Sequence, residues 1–231
     1  MKGRPARPAA TRAKKKILLV DDHPIFREGL AMLVNHEPDL AVCGEAENAH
    51  QALTAAGLFQ PDLVLADITL PDKNGLELIK DIQAMHPGLA VLVVSMHDES
   101  LYAERALRAG ARGYIMKQEG GKKLMEAIRQ VLGGQVYVSE KMSAKILEIF
   151  SGARPGKGGS PVERLSDREF QVFQLLGQGK GTRDIAAKLH LSVKTVEVHR
   201  ANIKEKLQLK TAPELIHYAV RWVESQPTGA M

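Results

Sequence analysis

Polar side chains follow four of the short apolar runs in the first half of the chain. They are Asp21 and Asp22 after residues 17–20, Asp67 after 63–66, Ser95 after 90–94, and Lys117 after 113–116. Clustered carboxylates repel one another unless a hard cation neutralises them, and Mg²⁺ prefers oxygen ligands. A carboxylate can also attack phosphorus, a hydroxyl can hydrogen-bond a phosphoryl oxygen, and an ammonium can pair with its charge. These residues predict Mg²⁺-dependent phosphoryl chemistry, without the glycine-rich loop of a nucleoside triphosphatase.

Alternating segments are predicted to position these side chains. Apolar runs at 17–20, 41–43, 63–66, 90–94 and 113–116 alternate with amphipathic stretches near 24–35, 48–57, 74–85, 99–109 and 121–132. Continuous apolar strands between helices are typical of a parallel sheet covered on both faces. We therefore predict a flavodoxin-like α/β domain with a five-stranded, doubly wound parallel sheet. Ligands bind such sheets outside the carboxyl ends of the strands, where Asp21, Asp67 and Lys117 would converge.

Charge is unevenly distributed along the 231 residues, although the net charge is only +5. Residues 1–16 hold seven basic and no acidic side chains, residues 17–150 hold 12 against 19, and residues 151–231 hold 13 against 8. A basic third behind an acidic body indicates that only the C-terminal part meets a polyanion. We predict a disordered basic arm at 1–15, the α/β domain at 16–135, a helix and flexible linker at 136–161, and a small all-α domain of four helices at 162–226.

The composition excludes several classes of protein. The single cysteine, Cys43, excludes an intrachain disulfide and a cysteine-based zinc site, and it fits a reducing compartment. No apolar run approaches the roughly 20 residues of a membrane-spanning helix. The apolar stretch behind the basic arm is too short for a signal-peptide core. We predict a cytoplasmic protein that does not contact a membrane.

The first domain resembles the receiver domain of bacterial response regulators. The matching residues are Asp21, Asp22, Asp67 within Leu-Val-Leu-Ala-Asp-Ile-Thr-Leu-Pro-Asp-Lys-Asn-Gly, Ser95, Tyr114 and Lys117. The resemblance implies that Asp67 accepts a phosphoryl group and that Asp22 and Asp67 bind Mg²⁺ directly. It implies that Asp21 acts partly through water and that Thr69 adds a backbone carbonyl.

The same resemblance assigns roles to five further residues. Ser95 and Tyr114 would form a switch pair, in which the hydroxyl moves to the phosphoryl group and the aromatic ring repacks. Lys117 would pair with the phosphoryl charge, while Pro71 and Gly75 would shape the loop beyond Asp67. From its position alone, Tyr114 is also compatible with an ordinary core residue.

After residue 161, the apolar residues recur at the spacing of an amphipathic helix. Ser166 with Glu169 three residues later forms a capping-box pattern, which favours a structural role for Glu169. Thr182 opens a second short helix, and Ser192 is a plausible N-cap of a third. Two short helices joined by a tight turn on a basic background predict a helix-turn-helix.

Here the chain resembles the LuxR-type helix-turn-helix of the NarL/FixJ class. The matching segments are Leu165-Ser-Asp-Arg-Glu, Ile185-Ala, and Leu191-Ser-Val-Lys-Thr-Val-Glu-Val-His-Arg-Ala-Asn-Ile-Lys-Glu-Lys-Leu. The predicted DNA contacts are Thr182, Lys194, Thr195, Glu197, Val198, Arg200, Ala201 and Lys204. Of these, the resemblance implies that Glu197, Val198 and Ala201 read bases, and the cationic side chains suit phosphates.

The interior of this domain is predicted from helical spacing. Val196, Ile203 and Leu207 are expected to pack inward, and His199 fits either the core or a DNA contact. A last helix at 211–223 fits either a fourth core helix or, as the resemblance implies, a dimerisation surface.

The two resemblances together imply a two-component transcription regulator. A sensor histidine kinase would phosphorylate Asp67, which would free the masked helix-turn-helix and favour homodimers on double-stranded promoter DNA. The chain would then be no enzyme beyond phosphorylation and dephosphorylation of its own Asp67. One alternative is a constitutive DNA-binding regulator whose receiver is only a docking or dimer surface. Another is a Mg²⁺-dependent phosphohydrolase, which needs an acid-base Asp where the chain has Thr69.

The histidines and methionines of the first domain are predicted to have no part in the site. The scattered histidines have no metal-ligand spacing and are predicted to be surface or loop residues: His23, His36, His86 and His97. Three methionines are predicted to fill the core: Met85, Met96 and Met116.

Overall fold

The computed structural model describes residues 13–150 and 161–225. Most of the predicted basic arm at 1–15 and of the linker at 151–161 therefore lies outside the described residues. Among the described residues, no helix is long and apolar enough to cross a membrane.

Five strands form one sheet. They are β1 Lys15–Val20, β2 Leu40–Ala46, β3 Leu63–Ala66, β4 Ala90–Ser95 and β5 Gly113–Met116. The order across the sheet is β2-β1-β3-β4-β5, and β1 pairs in parallel with both β2 and β3, as β3 does with β4. The predicted five-stranded parallel sheet is confirmed. Four strand boundaries were wrong: β1 begins at Lys15, β2 runs from Leu40 to Ala46, and β4 ends at Ser95. Ser95 belongs to β4 because its carbonyl accepts the N–H of Lys117 at 2.8 Å and its side chain is fully buried.

Six helices accompany these strands. They are α1 Pro24–His36, α2 Ala49–Phe59, α3 Gly75–Met85, α4 Glu99–Ala109, α5 Gly121–Leu132 and α6 Glu140–Phe150. The first five match the predicted amphipathic stretches. Side-chain caps define two of their N-termini, because Asn48 accepts the N–H of Gln51 and Asn74 accepts the N–H of Leu76. The methionine prediction was wrong for Met85 and Met96, which are exposed because Met85 is the last residue of α3 and Met96 lies just beyond the end of β4.

Asp72 ties the loop between β3 and α3 to the start of α2. Its carboxylate accepts the N–H of Ala49 at 2.9 Å and that of His50 at 3.0 Å. Burial alone would raise the pKa of Asp72, but these backbone N–H groups outweigh it and hold the pKa below its ordinary value. Asp72 therefore fixes the far side of the loop that begins at Asp67.

The C-terminal part consists of a 3₁₀ turn, Pro161–Arg164, and four helices. These are α7 Asp167–Gly177, α8 Thr182–Lys188, α9 Val193–Lys206 and α10 Ala212–Ser225. The predicted caps are confirmed: Ser166 and Glu169 form a capping box, and Ser192 accepts the N–H of Thr195. The four-helix prediction is thereby confirmed.

Aromatic rings fill the space between α7 and α10. Trp222 meets Phe170 edge-on at 5.5 Å between ring centroids and Phe173 at 5.4 Å. The two helices also approach closely at Gly177, where a Cβ atom would lie 2.5 Å from the carbonyl oxygen of Ala219. Leu215 is fully buried on the same helix. This packing confirms the core role of α10, and its dimerisation role stays a prediction.

Contacts divide the chain into two compact units. The first comprises the described chain up to Val94 with Gly110–Gly113 and Glu119–Tyr137. The second comprises Ser95–Ala109, Tyr114–Gln118 and the chain from Val138 onward. The second unit thus includes α4 and most of β5, which the sequence analysis assigned to the α/β domain at 16–135. The predicted domain ranges stay predictions.

Candidate metal centre and nucleic-acid interface

The ends of β1 and β3 bring two carboxylates to one edge of the first unit. Val20 lies opposite Ala66 in the parallel register, so Asp21 and Asp67 follow paired residues. The N–H of Asp67 donates to the carbonyl of Val20 at 2.9 Å. The sheet itself therefore sets the separation between the two acids.

Four side chains converge at this edge. One ligand atom each from Asp21, Asp22, His23 and Asp67 lies within 4.8 Å of the other three. Asp21 and Asp67 are only 2% and 4% exposed, so water screens their mutual repulsion poorly. A divalent cation relieves that repulsion, and three carboxylates are the hard oxygen donors that Mg²⁺ takes. The donor set therefore fits the predicted Mg²⁺ site, which we call the acidic cluster.

Backbone groups hold the carboxylate of Asp67. Its Oδ1 accepts the N–H of Ile68 at 2.6 Å and that of Thr69 at 3.3 Å. Thr69 itself is exposed, and the predicted role of its carbonyl as a metal ligand stays a prediction. The carboxylate of Asp67 is thus oriented before any partner binds.

His23 was missed by the sequence analysis, which treated it as a loop residue. Its Nδ1 lies 2.8 Å from Oδ1 of Asp22 and 3.3 Å from Oδ1 of Asp21, and its side chain is 64% exposed. The one sequence signal that could have placed His23 in this site was its position directly after Asp21 and Asp22. All three residues lie between the end of β1 and the start of α1. The imidazole is therefore an exposed member of the acidic cluster.

The remaining predicted residues of the phosphoryl site belong to the second unit, whereas Asp67 belongs to the first. Ser95 and Tyr114 are both fully buried. Both of them hold the backbone of His97: its N–H donates to Oγ of Ser95 at 3.3 Å, and its carbonyl accepts the Tyr114 hydroxyl at 2.8 Å. The backbone N–H of Lys117 donates to the carbonyl of Ser95, so Lys117 belongs to the same hydrogen-bonded group. His97 is therefore a second residue that sequence reasoning missed.

Tyr102 of α4 connects this group to α7. The ring of His97 stacks on that of Tyr102 at 4.7 Å between centroids. The Tyr102 hydroxyl donates to Oε1 of Gln174 at 2.8 Å, and its ring meets Phe170 edge-on at 5.3 Å. Within the second unit, a continuous set of contacts thus runs from Ser95 and Tyr114 to α7.

Arg105, one turn further along α4, reinforces the same contact. Its guanidinium lies 4.6 Å from the centroid of the Phe170 ring and pairs with Asp167 at 3.1 Å. Its Nη2 also donates to the carbonyl of Val162 at 3.4 Å. An arginine suits this place because its planar fork stacks on a ring and donates in several directions.

Comparison with known proteins agrees with this geometry. Residues 17–129 match the response regulator receiver domain, and residues 163–219 match the bacterial regulatory proteins of the luxR family. The oxygen regulatory protein NreC of Staphylococcus carnosus is 35% identical over 210 residues, which cover 89% of this chain and 97% of NreC. NreC of Staphylococcus aureus aligns with the same identity and coverage. This chain belongs to the NarL/FixJ class of two-component response regulators.

Solved structures show the same architecture as this response regulator. A LuxR-family two-component response regulator from Aurantimonas is 35% identical over 60% of this chain and 99% of its own, with a TM-score of 0.56. RcsB from Salmonella enterica, solved with promoter DNA and the phosphomimetic BeF₃⁻, is 25% identical. The RcsB match covers 90% of this chain and 99% of RcsB, with a TM-score of 0.68.

The predicted recognition helix of this response regulator is α9, Val193–Lys206. Val196 and Ile203 are fully buried, which confirms their inward position, whereas Leu207 is half-buried because it lies just beyond the helix, which ends at Lys206. His199 is half-buried, and its buried Nδ1 has no hydrogen-bond partner among the described residues. The inward face of α9 is therefore anchored in the small helical domain.

The predicted DNA contacts of the response regulator fall into two groups. The exposed residues are Lys194, Glu197, Val198 and Ala201, and the half-buried residues are Thr182, Thr195, Arg200 and Lys204. Arg200 donates to the hydroxyl of Thr182, which joins the middle of α9 to the first residue of α8. Ser192 and Thr195 hydroxyls lie 2.7 Å apart at the N-terminus of α9. This surface combines cations and N-terminal helix donors, the groups that contact phosphates.

Glu169 is structural, as the sequence predicted. Its carboxylate is buried, accepts the N–H of Ser166 at 2.8 Å and pairs with Nζ of Lys206 at 2.6 Å. Burial alone would raise the pKa of Glu169, but the bonds from Lys206 and Ser166 outweigh it and lower the pKa. Glu169 therefore links the start of α7 to the end of α9.

Proposed function

We propose that this chain is a phosphorylation-switched transcription regulator whose phosphoacceptor is Asp67. A sensor histidine kinase donates the phosphoryl group, and Mg²⁺ bound by Asp21, Asp22 and Asp67 is required. The observation that supports this proposal is the convergence of these carboxylates at the paired ends of β1 and β3. A cytoplasmic location is part of the same prediction.

The transfer is a substitution at phosphorus. A carboxylate oxygen of Asp67 attacks the phosphoryl group of the kinase's phosphohistidine, a phosphorus–oxygen bond forms, and the phosphorus–nitrogen bond breaks. The kinase histidine keeps the electron pair and takes up a proton. Backbone donors of Ile68 and Thr69 orient the attacking carboxylate. Asp21, Asp22 and Asp67 would hold Mg²⁺, which would supply positive charge to neutralise the oxygens during the transfer.

The signal then reaches the DNA-binding helices through the second unit. We propose that Ser95 turns toward the phosphoryl group and releases the N–H of His97, while the ring of Tyr114 repacks. The stacking of His97 on Tyr102 and the Tyr102 bond to Gln174 support this route, because each contact adjoins the next. The contact between α4 and α7 is thereby weakened, and the helix-turn-helix is released.

The released domain binds double-stranded promoter DNA as a homodimer. The exposed side chains of Glu197, Val198 and Ala201 support base reading from α9. The RcsB structures, which contain promoter DNA and a phosphomimetic, support the same use of this fold. The exposed side chain of Ile216 on α10, 41% accessible, supports pairing of two copies through this helix.

The decisive experiment is intact mass spectrometry after incubation with acetyl phosphate and Mg²⁺. Wild type is expected to gain one phosphoryl group, and Asp67→Asn is expected to gain none. Asp81→Asn, which changes an acid on α3, is the matched control and is expected to behave as wild type. A chelator is expected to abolish the adduct.

Two outcomes would contradict the proposal. An adduct on Asp67→Asn would place the phosphoacceptor elsewhere. No adduct on wild type, from acetyl phosphate or from a phosphorylated histidine kinase, would favour the constitutive DNA-binding regulator whose receiver is only a docking or dimer surface.

A further inference from the structure

Arg27 of α1 is a buried cation beside the acidic cluster. Only 8% of the residue is exposed. Its Nη1 donates to the backbone carbonyl of Asp21 at 2.6 Å, its Nε to Oε2 of Glu45 at 3.0 Å, and its Nη2 to Oε1 of Glu47 at 3.0 Å. All three nitrogens of the guanidinium therefore have an acceptor.

The bond to Asp21 fixes the peptide between the first two acids of the cluster. The carbonyl of Asp21 belongs to the planar unit that joins Asp21 to Asp22. The N–H on the other side of Asp21 donates to the carbonyl of Ala46 at 3.1 Å. With both backbone groups of Asp21 held, the directions in which the Asp21 and Asp22 carboxylates leave the chain are set.

Glu45 and Glu47 make this arrangement compatible with a cation in the cluster. An unpaired buried guanidinium would repel a divalent cation nearby and would be costly to desolvate. The two glutamates neutralise it from the side of β2, and both remain partly exposed, at 45% and 60%. The guanidinium thus donates to the Asp21 carbonyl without adding an uncompensated positive charge.

We propose that Arg27 is a positioning residue for the candidate metal centre, which it controls through the Asp21–Asp22 peptide. This inference rests on the proposed function, because it assumes that the acidic cluster binds a divalent cation. Lysine cannot replace Arg27, since its donors sit on one nitrogen and cannot reach three separated acceptors as the guanidinium does.

Arg129 of α5 provides a matched control. It also pairs with two carboxylates, those of Glu37 and Asp39, but its contacts include no residue of the acidic cluster. Arg27→Lys and Arg129→Lys therefore make the same chemical change to a guanidinium between two acids. Among the contacts described, they differ in the bond to the Asp21 carbonyl.

The test measures the dissociation constant for Mn²⁺ on the full chain, with free Mn²⁺ followed by electron paramagnetic resonance. Arg27→Lys is expected to weaken binding by at least about tenfold, as is typical when a group that orients a metal ligand is lost. Arg129→Lys is expected to stay within about twofold of wild type, because surface ion pairs contribute little. Near-ultraviolet circular dichroism and melting temperature check that each variant is folded.

A second readout separates positioning from general damage. In acetyl phosphate reactions, Arg27→Lys is expected to need a higher Mg²⁺ concentration for half-maximal rate while approaching the wild-type rate at saturation. If Arg27→Lys does not fold, Glu47→Ala decides instead: it removes one of the three acceptors of the guanidinium and is expected to weaken Mn²⁺ binding by about two- to fivefold.

An unchanged Mn²⁺ constant in a folded Arg27→Lys, or an equal loss in Arg129→Lys, would overturn the inference. Failure of the proposed function appears separately, as absent Mn²⁺ binding or an absent phosphoryl adduct in wild type.

Discussion

Gly75 lies so close to Asp67 that a Cβ atom on Gly75 would stand 2.3 Å from the Asp67 carbonyl oxygen. The N–H of Gly75 donates to the carbonyl of Ile68 at 2.7 Å. The first residue of α3 therefore lies directly against the backbone of Asp67, and only a residue without a side chain allows the bond to form.

Gly75→Ala is expected to displace the Asp67 backbone, because the obstructing atoms belong to the main chain. We expect a loss of about 1–3 kcal/mol in the free energy of unfolding, together with slower phosphorylation. Gly29→Ala on α1 is the control, since a Cβ there meets nothing within 4 Å and alanine favours a helix. Urea unfolding and acetyl phosphate kinetics measure both effects, and equal stability of the two variants would contradict the close approach.

Glu169→Gln is expected to destabilise the small helical domain at neutral pH by about 1–2 kcal/mol, because the charge-assisted bond with Lys206 is lost. The folded state lowers the pKa of Glu169, so its stabilisation is complete above the ordinary value of 4.5. It is lost as the pH falls through the lower folded pKa. The difference between variant and wild type should therefore shrink below pH 4.5.

Urea unfolding at neutral and acidic pH checks this pH dependence. Glu214→Gln is the control, because the pKa of Glu214 is also lowered, chiefly by the N–H of Lys210, but its carboxylate is exposed. It should change stability much less. A Glu169→Gln deficit that persists undiminished in acid would show that lost packing, not charge, is responsible.

Arg105→Ala is expected to strengthen DNA binding by the unphosphorylated chain, because it removes the ion pair with Asp167 and the contact with Phe170. An increase of roughly tenfold corresponds to an ordinary allosteric coupling energy. Arg108→Ala, three residues further along α4, removes only an exposed pair with Glu104 and serves as the control. Fluorescence anisotropy with labelled promoter DNA gives the affinities, and equal values for wild type and Arg105→Ala would contradict masking through this contact.

Lys194→Ala is expected to weaken binding to any duplex, because an exposed cation at the start of α9 suits a phosphate. The slope of log affinity against log salt should fall in magnitude by about 0.9 if one phosphate contact is lost. Lys122→Ala removes an exposed charge from α5 and should leave the slope unchanged. A slope that is the same in Lys194→Ala and wild type would remove Lys194 from the DNA surface.

The sheet was predictable because each strand is a continuous apolar run between helical patterns. Once the order of parallel strands is accepted, Asp21 and Asp67 must meet, since Val20 and Ala66 are paired. The N-caps of α7 and α9 were also predictable from the sequence. In both helices a serine side chain accepts the backbone N–H of the residue three positions later, Glu169 for Ser166 and Thr195 for Ser192, which is a local pattern.

His97 and Arg27 were missed because they act through contacts that a local pattern does not encode. His97 is held through its backbone N–H and carbonyl, which are the same for every residue type except proline. Arg27 has the spacing of an ordinary helix residue, and its partners are the carbonyl of Asp21, six residues away, and the carboxylate of Glu45, 18 residues away along the chain. Ser95 was placed one position outside its strand because a serine does not continue an apolar run.

The chain contains a single tryptophan, Trp222, and its ring lies between Phe170 and Phe173. Phe170 is also the ring on which Tyr102 and Arg105 converge. The protein therefore carries a built-in optical reporter at the junction of α7 and α10. A change in how α4 contacts α7 is expected to alter the surroundings of that indole, so its emission would report the proposed switch in solution without an added dye.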